Sequence, residues 1–279
     1  MEHISKEEKN ELILGFKIAL RTLAYCFIVS MIVLCSIFVL FPKTSLKINE
    51  EFGFVKVQEY NYQLIYNRSG KITDLYNLVL FEEKQKNTAK ELIYIDKMLE
   101  RKDYAEFCNA MDKASLENVK DKNMIPYSSN VNGYLFSRKV ICLYDKGNES
   151  FDSYIYKQTK TGDVNEYSFS TYVDLVFSDE NLTNDQKKVK FDSLLQLSEV
   201  DGESMVNLET LISNRVNALN EKIAGESDNN QKIISNYTLM RIYASRYYVY
   251  TTQGNDLLKN ENLELYKQTK LELNNLINA

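Results

Sequence analysis

In a chain of 279 residues there are only 9 Gly, 2 Pro and 1 His, and there is no Trp. Average usage would supply roughly 7% Gly and 5% Pro. β-Sandwiches and barrels need these residues at every tight turn, and disordered or collagenous chains are rich in them. Their scarcity excludes those classes and predicts long helices. The single histidine is His3, in the N-terminal tail. The commonest general base and metal ligand is therefore missing from the rest of the chain, which excludes Ser-His-Asp and Cys-His catalysis and His-ligated zinc. P-loop, G-x-G-x-x-G and EF-hand strings are also missing. We expect no cofactor, no metal and no catalytic residue.

A surplus of positive charge is lacking too. The net charge is -5, and the first 41 residues balance four Lys or Arg against four Asp or Glu, so the acidic excess lies beyond them. A nucleic-acid partner is not expected of such a chain. Four cysteines occur, Cys26, Cys35, Cys108 and Cys142, without a C-x-x-C pair. A bridge between Cys108 and Cys142 would contribute about 3 to 4 kcal/mol on the chain-entropy model. Their apolar settings, beside Tyr104 and Met111 and within Val140 to Tyr144, favour buried free thiols.

What the chain does have is one long uncharged run, Thr22 to Phe41. As a helix its twenty residues span about 30 Å, the thickness of a bilayer's hydrocarbon core. Upstream, Ile4 to Leu20 reads as amphipathic helix, with Ser5 and Glu8 in capping spacing. The run is longer than a signal-peptide apolar region and no small-x-small cleavage site follows it, so anchoring is expected over cleavage. Neither Cys26 nor Cys35 follows a small residue, which argues against a lipoprotein. Lys17 and Arg21 flank one end, Lys43 and Lys47 the other, a slight preference for a cytoplasmic N-terminus. With the short tail before it, the run resembles an uncleaved signal anchor. The expected organisation is a cytoplasmic tail (1–21), a transmembrane helix (22–41), a membrane-proximal helical part (42–130) and a C-terminal helical part (131–279), the last two extracytoplasmic.

Beyond Pro42, which closes the membrane helix, the stretch Phe52 to Tyr66 alternates like a strand yet also fits a helical face, and helix is expected. Most later glycines mark breaks between helices, Gly133 among them. Thr88 with Glu91, Asp103 with Glu106 and Thr183 with Gln186 have capping-box spacing, and Ala89, Leu92, Ile93 and Leu99 are expected to face inward. Lys120 to Gly133, around Pro126, reads as a loop. Helices are expected at Tyr134 to Tyr144, Phe151 to Gln158 and Asn165 to Phe177. Met205, Leu208, Ile212, Val216, Leu219 and Ile223 fall on one face of another. Asn230 to Thr252 is apolar nearly all round and belongs in the middle of a bundle, with Arg241 and Arg246 in need of partners. A last helix carrying Leu263, Tyr266 and Leu273 can dock on it. The fold class is all-α: an N-terminal membrane helix followed by an irregular bundle or stacked helical hairpins. A tetratricopeptide-like architecture is compatible with this spacing, although its repeat signature is not found.

Two clusters are candidate sites. The 20 tyrosines, notably Tyr237, Tyr243, Tyr247 and Tyr248, are expected to pack rather than to form a binding groove. The strings Glu149-Ser150-Phe151-Asp152 and Glu203-Ser204-Met205-Val206-Asn207 resemble in part the E-S-x-x-[DN] signature of lytic transglycosylases, helical exported enzymes in which a glutamate protonates the glycosidic oxygen. That resemblance would make Glu149 or Glu203 the acid. The G-L-M-Q segment and Gly-rich surroundings of that family are missing, and Glu203 is expected to serve the first turn of a helix. The sequence therefore predicts a non-enzymatic, membrane-anchored scaffold or adaptor that contacts the lipid bilayer and an envelope or membrane protein. A cell-wall glycan-cleaving enzyme and a ligand-sensing ectodomain are the alternatives.

Overall fold

The computed structural model describes residues 6–118, 130–147, 153–155, 165–195, 199–200, 203–204 and 208–278. These are almost wholly helical. The exception is a two-residue antiparallel ladder, β1 (Glu199–Val200) with β2 (Glu203–Ser204), pairing Glu199 with Ser204 and Val200 with Glu203. The chain forms two compact units, Met1–Phe81 and Glu82–Ala279.

The first unit starts with α1 (Lys6–Leu40), which joins the amphipathic and apolar segments in one unbroken helix. Phe41 ends it, and Pro42 is the first residue of α2 (Pro42–Phe52). Proline cannot continue a helix but is favoured at its first position, where no N–H is required. The ambiguous stretch is helical but interrupted. Gly53 adopts a left-handed φ of 70° and donates to the Asn49 carbonyl, closing α2 before α3 (Val55–Ser69) begins. That is the C-terminal conformation only glycine takes without strain. The strand-like alternation is a surface feature, since Phe52, Phe54 and Tyr60 are at least half exposed. Gly70 ends α3 in the same way, and α4 (Ile72–Lys84) follows, with Glu82 to Lys84 belonging to the second unit.

The second unit comprises α5 (Thr88–Leu99), α6 (Tyr104–Asn118), α7 (Val131–Lys146), α8 (Glu166–Ser178), α9 (Asn184–Leu195), α10 (Leu208–Gly225), α11 (Asn229–Gln253) and α12 (Asp256–Asn278). Its centre is α11. No residue from 230 to 250 is exposed, and the helix packs against α8, α9, α10 and α12. Around it lie Val173, Val176, Phe191, Ile212 and Val216, all buried. Each such side chain contributes about 1.5–3 kcal/mol on burial. Arg241 pairs with Asp174 at 3.1 Å, and Arg246 donates to the Ser213 hydroxyl at 2.5 Å. Gly254 turns the chain into α12, whose Leu273 is buried together with Asn262 and Thr269.

Several local expectations are corrected. The N-cap of α5 is Asn87, which accepts from the Lys90 N–H, while Thr88 donates its hydroxyl to Asp145. Glu91 is turned inward, so the buried face is Glu91, Leu92, Ile95 and Met98, with Ala89 and Ile93 exposed. Asp103 does not cap α6 with Glu106; its carboxylate takes both donors of Arg101, at 2.7 and 2.8 Å. Gly133 lies within the first turn of α7, because Asn130 caps that helix three residues earlier. Thr183 and Gln186 do form the reciprocal box: the Thr183 N–H donates to Oε1 at 2.8 Å and the Gln186 N–H to Oγ1 at 3.3 Å. Cys108 and Cys142 are buried free thiols. The loop expected around Pro126, most of the helix expected at Phe151 to Gln158, and Glu149 lie outside the described residues.

Candidate membrane-interface site

Helix α1 has one stretch, Ile13–Leu40, long and apolar enough to cross a membrane, and none of its most apolar window is buried within the protein. Two of its hydroxyls turn back onto their own helix: Thr22 donates to the Ile18 carbonyl at 3.0 Å and Ser36 to the Ile32 carbonyl at 2.8 Å. In an apolar surrounding with no water, this is how a hydroxyl is satisfied.

Beyond Phe41, α2 and α3 pack together through a polar seam. Ser45, Asn49, Gln58 and Asn61 are all buried. The Asn49 amide donates to the Ser45 carbonyl at 2.7 Å, Gln58 to the Asn49 carbonyl at 2.7 Å and Asn61 to the Ser45 hydroxyl at 2.8 Å. These bonds satisfy the buried amide donors and fix one register between the two helices, while Asn61 Oδ1 is buried with no partner among the described residues.

Because Gly53 reverses the chain, the end of α3 returns to the start of α2. A pocket of about 530 Å³ opens there, lined by Leu40, Phe41, Lys43, Arg68, Lys71 and Asp74 among others. Arg68 donates to the Leu40 carbonyl at 3.5 Å, reaching one of the carbonyls that the end of α1 leaves without an intrahelical partner. Ser69 donates to Asp74 at 2.5 Å and accepts from the Lys71 N–H at 3.1 Å. Of these cations the sequence singled out only Lys43, as a flank of the membrane run. The legible signal for the others was punctuation, since a break at Gly53 in a helical pair brings residue 68 back to residue 43.

Two internal polar arrangements of the second unit involve buried ionisable groups. Arg138 donates to both oxygens of the fully buried Glu91, at 2.6 and 2.7 Å, with Glu83 at 3.5 Å. Burial opposes the guanidinium charge, but the hydrogen bonds and charges of Glu91 and Glu83 outweigh it and hold its pKa above the ordinary value. Burial, assisted by Glu91, pushes the Cys142 thiol up to about 12. The other arrangement centres on Tyr167, whose hydroxyl meets Thr238 Oγ1 at 2.8 Å and accepts from the Asn130 amide at 3.0 Å. Burial raises its pKa to about 12. Asn130 also accepts from the Gly133 N–H at 2.8 Å, so one side chain caps α7 and ties it to α8.

Of the sequence-selected residues, Glu203 lies in β2, five residues before α10, and the first-turn acid of that helix is Glu209. Tyr243 is buried, and Tyr248 is half-buried and stacked on Phe177 with centroids 4.3 Å apart. Among the described residues no group of three His, Cys, Asp or Glu side chains is placed to hold a metal ion. No known protein family, curated protein or solved structure matches this chain.

Proposed function

We propose that the chain is a single-pass membrane protein in which α1 anchors a helical scaffold or adaptor. The observation that carries this reading is that no residue in the most apolar window of α1 is buried. A soluble protein would bury such a helix, and a bilayer covers it. In this reading the N-terminal tail is cytoplasmic, residues 42–279 are extracytoplasmic, and the helices of the second unit are stacked as hairpins that engage an envelope or membrane protein. The exposed rings of Phe52 and Phe54, stacked 6.1 Å apart at the α2–α3 turn, offer an aromatic anchor of the kind that dominates protein interfaces.

Affinity capture of the full chain from gently solubilised membranes tests the adaptor role. A specific membrane-protein partner, lost on Phe52→Ser and Phe54→Ser, is the expected result. Failure of any partner to copurify, together with release of soluble fragments from peptidoglycan by the chain, would replace this reading with the glycan-cleaving one through Glu149 or Glu203. Protease shaving of intact cells should digest residues 42–279; protection in intact cells with digestion in opened vesicles would invert the topology.

A further inference from the structure

We infer that the pocket at the exit of α1 holds the phosphate of an anionic phospholipid headgroup. The inference rests on the membrane reading above and adds a ligand to it.

Position is the first argument. The pocket wall includes Leu40 and Phe41, the last residues of the apolar run, with Lys43 two residues further on. With α1 in a bilayer, the end of the apolar run falls at the boundary between hydrocarbon and headgroups. The second argument is charge. Lys43, Arg68 and Lys71 face a single carboxylate, Asp74, which already accepts the Ser69 hydroxyl. Among the described residues Lys43 and Lys71 form no ion pair, and Arg68 is bonded only to the Leu40 carbonyl. Basic side chains grouped at a membrane surface recognise anionic lipid in this way.

Backbone donors add to the charge. Pro42 has no N–H, and Phe41 gives α2 no side-chain cap, so the first-turn N–H groups of Lys43 and Thr44 remain for an anion at the pocket. The apolar part of the wall suits the glycerol and first acyl carbons of a lipid, which a free phosphate would leave uncovered. Lipid headgroup and free phosphate share the recognised chemistry, and the apolar wall favours the lipid.

The test uses the full chain, purified in detergent and exchanged into mixtures of phosphatidylglycerol and phosphatidylcholine, with bound lipids counted by native mass spectrometry. The wild type should retain phosphatidylglycerol preferentially. Lys71→Gln should lower that preference about fivefold, the combination of Lys43→Gln, Arg68→Gln and Lys71→Gln should abolish it, and Asp74→Asn should raise it. Opposite shifts from neighbouring residues are not the signature of misfolding. Equal preference in the wild type and the triple variant would overturn the proposal while leaving the anchor intact. Displacement of phosphatidylglycerol by inorganic phosphate at comparable concentration would assign the pocket to free phosphate and overturn the lipid. Separately, extraction of the wild-type chain from membranes by alkaline carbonate would overturn the anchor itself.

Discussion

In residues 1–81 the longest apolar stretch is outside, from Ile13 to Leu40, while the seam between α2 and α3 is made of Ser45, Asn49, Gln58 and Asn61. In residues 82–279 the arrangement is the ordinary one: Phe191, Ile212 and Ile242 are inside, and among the buried charges Glu91 is paired with Arg138 and Glu166 with Arg215. Leu75, Leu78 and Val79 of the first unit are buried in the ordinary way, so the contrast lies in α1 and the α2–α3 seam. Water drives apolar groups inward; in the membrane reading proposed above α1 meets lipid instead, which makes no such demand and requires only that its polar groups be satisfied locally.

The largest test of that contrast puts charge on the apolar stretch of α1. Ile28→Arg with Ile32→Arg should cost about 5–7 kcal/mol of insertion free energy, moving the chain to the carbonate-soluble fraction. If α1 is instead a surface helix in water, the double variant stays where the wild type is found. Next in size is the second unit's buried pair. Arg138→Met strands the Glu91 carboxylate and should lower stability by about 3–5 kcal/mol in chemical denaturation. Adding Glu91→Met should recover most of that loss, and a double variant no better than the single one would mean that the pair does not act as a unit.

Packing gives a smaller effect. A Cβ at Gly133 would lie 2.7 to 2.8 Å from the Tyr167 ring. That ring cannot yield easily, because its hydroxyl is held by Thr238 and Asn130. Gly133→Ala should cost about 1–3 kcal/mol, whereas Gly225→Ala, with open space around it, should cost nothing measurable. The last effect is nil at neutral pH. Burial raises Cys142, Tyr144, Tyr154 and Tyr167 in the second unit, and Tyr62 in the first, to about 12. Their pKa values are higher folded than unfolded, so the unfolded chain releases these protons first. Stability is then complete below the unfolded values of about 9 for the thiol and 10 for the phenols and is lost as pH rises towards 12. The last part of the tyrosinate absorbance should appear only as the denaturation midpoint falls. Full tyrosinate amplitude reached near pH 10 with no loss of structure would show these groups to be solvated.

Much of the helical plan was legible because periodicity is local. Ile212, Val216 and Leu219 are buried on one face as their spacing requires, and α11 is enclosed as its near-uniform apolar surface requires. Misreadings occurred where a residue's partner is remote. Glu91 has capping spacing with Thr88, but Arg138, forty-seven positions later, claims its carboxylate. Gly133 looks like a break until Tyr167 is placed against it. Nothing in the sequence at Phe81 or Glu82 marks the division between the units. The basic pocket was hidden in the same way, because Lys43 and Arg68 are neighbours only after Gly53 has reversed the chain.

The sequence by itself determined that the protein is helical, that one segment is long and apolar enough to cross a membrane, and where most helices begin and end. Those properties follow from steric preference, hydrophobic period and turn chemistry, which act over a few residues. Tertiary structure decided which polar residues are buried with partners, which glycine is needed for packing rather than for a turn, and which cations converge beside the end of α1. Such choices depend on side chains far apart in sequence being brought within hydrogen-bonding or Coulombic reach, and only the folded chain brings them there.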